Sequence, residues 1–83
     1  MNTKMSTNDV NICEGERRFN AYLTMIEDIY HVHGYALADL VGIKRTTWTR
    51  NMNAPWYQRK TSFISALAGL VGVPLDWFFP DEL

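Results

Sequence analysis

Residues 36–53, ALADLVGIKRTTWTRNMN, constrain this chain more than any other stretch. Two short amphipathic segments meet there at Gly42. On the first, residues 35–41, helical spacing points Leu37, Leu40 and Val41 inward and leaves Asp39 to solvent, while Ala38 is small enough to admit a neighbouring helix closely. Gly42 takes a positive φ at no steric cost, and Ile43 tucks back into the core directly after it. The second segment, residues 45–52, turns Trp48 and Met52 inward with Asn51 partly covered, and turns Arg45, Thr46, Thr49, Arg50 and Asn53 outward. Two short helices about a tight glycine turn make a helix-turn-helix.

The outer face of the second segment is built from poor helix formers. Thr46, Thr47 and Thr49 crowd one short helix, where alanine or leucine would be more stable. Hydroxyls, guanidinium groups and an amide are instead what hydrogen-bonds phosphates and base edges. Charge distribution points the same way. The formal net charge is −1, yet Lys44, Arg45, Arg50, Arg59 and Lys60 fall in a run without a single acid. A segment of +5 thus sits within a remainder of −6, and location matters more than the total.

The flanks supply packing. Residues 1–14 are polar and aperiodic and read as a flexible N-terminal segment, an arm or a lead-in; residues 15–83 form one domain. A first helix is expected over residues 16–31, with Phe19, Tyr22, Leu23, Ile26, Ile29 and Tyr30 on one stripe and Gly34 ending it. His31 and His33 at that end suit the helix dipole better than a metal. Pro55 breaks the chain after Asn53, and Trp56 and Tyr57 read as a hydrophobic lid over the helix end, with contact to a DNA backbone as the competing reading. A fourth helix is expected over residues 59–71, with Thr61 or Ser62 as an alternative N-cap and Phe63, Ile64, Leu67, Leu70 and Val71 inward. Pro74 opens a last short helix over residues 75–79, whose Leu75, Trp77, Phe78 and Phe79 either close the core or form an association surface. The fold class is therefore all-α, a compact bundle of about five short helices.

Several classes are excluded. No apolar run approaches the ~18 residues that span a bilayer, and the start carries no signal-peptide pattern. The single Cys13 builds no disulfide framework, so a reducing cytoplasm is the expected location. No nucleophile-base pair, glycine-rich phosphate loop or metal-ligand cluster has a local signature, so neither an enzyme nor a cofactor is expected.

Ala38, Gly42, Ile43 and Trp48 stand at offsets of four, one and five. With Val73-Pro74-Leu75-Asp76-Trp77-Phe78-Phe79 at the far end, the chain resembles the N-terminal domain of phage CI-type repressors and the Cro-like helix-turn-helix family over residues 19–79. It departs from them where Lys44 replaces the usual Ser or Thr cap and where Asn51 takes a commonly apolar position. Ending at Leu83, it is expected to be a small Cro-like regulator or a fragment of a longer repressor.

The resemblance implies a transcriptional regulator that binds double-stranded DNA sequence-specifically, as a homodimer on a pseudo-palindromic operator, with helix 45–52 in the major groove. Its groove-facing positions fall on Lys44, Arg45, Thr46, Thr49 and Arg50, with Asn53 at the edge. Arg59, Lys60 and neighbouring hydroxyls, Thr47 among them, would hold phosphates. The alternative is a helical protein-interaction module, such as an antirepressor or an antitoxin-like partner, motivated by the acidic body and the apolar Trp77–Phe79 end.

Overall fold

A computed structural model describes residues 13–80, and these form an all-helical domain without strands. Four α-helices follow one another: α1 Glu14–Tyr30, α2 Tyr35–Val41, α3 Arg45–Asn53 and α4 Thr61–Ala68. Single 3-10 turns lie at Trp56–Gln58 and at Leu75–Phe78, the latter forming the last short helix, one residue shorter than expected. The 1–14 segment falls mostly outside the described residues, but its last residue already belongs to α1, capped by Cys13, whose sulfur accepts from the Glu16 N–H at 3.5 Å.

One core gathers the inner faces. Phe19, Ile26, Leu37, Ile64, Leu67 and Phe78 are fully enclosed, and Tyr22, Trp48 and Phe63 nearly so. Aromatic edges interlock through it. Phe78 stands edge-on to Phe19 and Tyr22, and Trp48 stands edge-on to Phe63. Tyr22 donates its hydroxyl to the Leu67 carbonyl at 2.6 Å, which satisfies a polar atom at the centre of the packing. Burial pushes this phenol's pKa up. Gly15 makes the close approach of the terminal turn possible, because any Cβ there would collide with the Phe78 carbonyl oxygen.

Four apolar residues depart from the expected inward set, each for a geometric reason. Ile29 and Tyr30 are exposed in the last turn of α1, beyond Ile26, the last buried residue of that helix. Tyr30 still donates to the Leu70 carbonyl at 3.2 Å. Leu40 is exposed because Leu37, Ala38 and Val41 already define the buried arc of α2, and Leu40 lies about 100° away from its centre. Val71 is exposed because α4 ends at Ala68: the Gly72 and Val73 N–H groups both turn back to the Ala68 carbonyl.

Helix ends differ from the sequence reading as well. His31, not Gly34, ends α1, adopting φ 57° and donating its N–H to the Glu27 carbonyl, while Gly34 precedes α2 at φ 55°. Helix α4 begins at Thr61 rather than at residue 59, with Lys60 in the N-cap place and no side-chain cap from it.

Candidate nucleic-acid interface

Helices α2 and α3 pack about Gly42, whose φ of 77° lets the Ile43 N–H return to the Ala38 carbonyl at 2.8 Å. This turn aims α3. Trp48 and Asn51 anchor its inner side, 6% and 4% exposed, so the remaining faces are forced outward. Arg45, Thr46, Arg50 and Asn53 are exposed, Thr47 and Thr49 are half-buried, and Lys44 is exposed immediately before the helix. No side-chain cap bond is made by Lys44, as the missing Ser or Thr implied. Helix α3 contains no acid.

Asn51, the departure from an apolar position, ties two elements together. Its amide donates to the Thr47 carbonyl at 3.0 Å and accepts from the Lys60 N–H at 2.9 Å. The side chain thus fixes the start of α4 against α3 and keeps Lys60 exposed beside it. Periodicity marks a buried position but not the partner of a buried amide, so this role is not legible in the sequence.

Two further contributors escaped the sequence reading. Asp39 accepts from Arg45 Nη2 at 2.9 Å across the turn, and the Arg45 guanidinium lies 5.5 Å from the centre of the Tyr35 ring. The Tyr35 hydroxyl accepts from Thr49 Oγ1 at 3.3 Å. The hydrogen bond and charge of Asp39 raise the already high pKa of Arg45. A six-residue step from acid to arginine across a glycine turn is the signal that was there to be read.

Arg59 is the main correction. Expected at a phosphate, its side chain is only 6% exposed. It donates from Nε to the Ala54 carbonyl and from Nη2 to the Met52 carbonyl, and pairs with Glu16 at 3.4 Å. The rings of Phe19 and Trp56 lie 5.7 and 5.5 Å from the guanidinium. Burial lowers its pKa, opposed in part by Glu16. The group closes the exposed carbonyl end of α3 instead of facing a ligand. Of the two aromatics expected as a lid, Trp56 is half-buried and stacks on Phe79 at 5.4 Å, whereas Tyr57 is 81% exposed.

No family model matches the chain, and neither a curated protein nor a solved structure matches it.

Proposed function

We propose that this chain is a sequence-specific, double-stranded DNA-binding transcriptional regulator of the cytoplasm, acting through α3 in the major groove. The observation that carries the reading is the acid-free outer face of α3, where Arg45, Thr46, Arg50 and Asn53 stand exposed on a helix anchored by Trp48 and Asn51. Arg45 and Arg50 suit bidentate pairing with guanine, and Lys44 and Lys60 suit phosphates on either side. A homodimer on a pseudo-palindrome is the usual consequence of one such helix per subunit.

The terminal turn supports the dimer reading. Phe78 is fully enclosed, whereas Trp77 is 42% exposed beside an equally exposed Met25. Those two, with Ala21, Tyr22, Val73 and Pro74, line one apolar groove. The same groove favours the second reading, a protein-interaction module, which stoichiometric co-purification of another protein without retardation of any duplex would establish.

Two substitutions separate the proposed roles. Arg50→Ala should cost about 1–3 kcal/mol on the preferred duplex and relax selectivity at one base pair. Lys60→Ala should weaken every duplex alike and lower the salt slope by about one. Retardation assays across a salt series read both. Unchanged affinity in both variants contradicts the interface.

A further inference from the structure

The outer face of α3 is not a plain row of donors. Tyr35, Arg45, Thr46, Thr49 and Arg50 line a shallow, open concavity whose walls are mainly carbon. Three of the lining side chains are engaged locally. The Thr49 hydroxyl donates to the Tyr35 hydroxyl, and Asp39 takes one N–H of Arg45 while the Tyr35 ring lies beneath the same guanidinium. Arg45 has five N–H groups, so the Asp39 bond leaves enough for a bidentate pair. What faces solvent is therefore a carbon-lined hollow beside an arginine already held in place.

Among the groups on the major-groove edge, only one is apolar: the C5-methyl of a pyrimidine. We infer that this concavity takes the C5-methyl of thymine or 5-methylcytosine next to a guanine read by Arg45, making a methyl-bearing pyrimidine beside a guanine the preferred element of the site. Asp39 and Tyr35 act as positioning residues, Asp39 by fixing the fork and Tyr35 by supplying its floor. The Arg45 fork at the edge of the hollow matches the O6 and N7 acceptors of a guanine next to it. This inference rests on the DNA-binding reading above.

The test uses the whole chain and duplexes differing by single methyl groups. A bound duplex is first selected from a random pool, and the thymine beside its guanine is then replaced by uracil. In a parallel pair, cytosine is compared with 5-methylcytosine at the same position. Removing the methyl should weaken binding about 4-fold, in line with one buried carbon, and 5-methylcytosine should bind better than cytosine by a similar factor. In Tyr35→Ala and in Thr49→Ser the thymine-to-uracil ratio should fall towards one while the salt slope stays unchanged. Thr49→Ser keeps the hydroxyl and so serves where Tyr35→Ala unfolds. Equal binding of thymine and uracil by the unaltered protein, or a selected site without such an element, overturns the inference and leaves DNA binding intact. Failure to select any duplex overturns both.

Discussion

Replacing Arg59 with alanine is expected to remove about 3 kcal/mol or more of folding stability, read as a lower urea midpoint. The side chain is nearly enclosed, and its loss strands the Met52 and Ala54 carbonyls and leaves Glu16 without its cation. For a domain with roughly 5–15 kcal/mol in total, that is a large share. Arg59→Lys should rescue little, because a single ammonium cannot span two carbonyls and a carboxylate as a planar fork does. A phosphate contact would behave in the opposite way: the variant would fold normally and the salt slope on DNA would drop by about one. A normal urea midpoint in Arg59→Ala would sink the structural role assigned to this residue.

Phe78→Ala is expected to destabilise by about 3–5 kcal/mol, through lost burial and the cavity left between Phe19 and Tyr22. The effect should extend beyond the cavity, because the Phe78 backbone is what rests on Gly15 of α1. Its neighbour offers an internal control. Trp77 is half outside, held by the Arg18 guanidinium 5.0 Å from its ring and by an Arg18 bond to its carbonyl at 2.8 Å. Trp77→Ala should cost less, about 2 kcal/mol in the monomer. Thermal unfolding of the two variants side by side measures the contrast, and similar losses would contradict the division of the terminal turn into an inner and an outer residue.

These two residues also show what a sequence can and cannot convey. Helix α2 falls on the residues that its spacing predicts, and α3 extends by one, because local periodicity and a turn glycine determine both. Trp48, Phe63, Ile64 and Leu67 are buried as their spacing implies, and Phe78 falls on the core side of the two readings left open for the terminal cluster. Arg59 is a different case. In a run of cations nothing distinguishes it from Lys60, and its burial depends on Phe19 and Glu16, some forty residues away. Likewise, Trp56 and Tyr57 are adjacent aromatics with opposite fates, decided by which ring meets Phe79. Asn51 looks like a flaw in the apolar pattern until the Lys60 N–H appears beside it. The elements were legible because their causes are local; the arrangement around α3 was less so because side chains from α1, α2 and the terminal turn complete it.

Whether α3 reads duplex DNA is decided by selecting bound duplexes from a random pool at a low and a moderate salt concentration. The expected result is an enriched pseudo-palindromic consensus with half-sites about one helical turn apart, and affinity that falls steeply with salt. No enriched sequence at either salt concentration would contradict it.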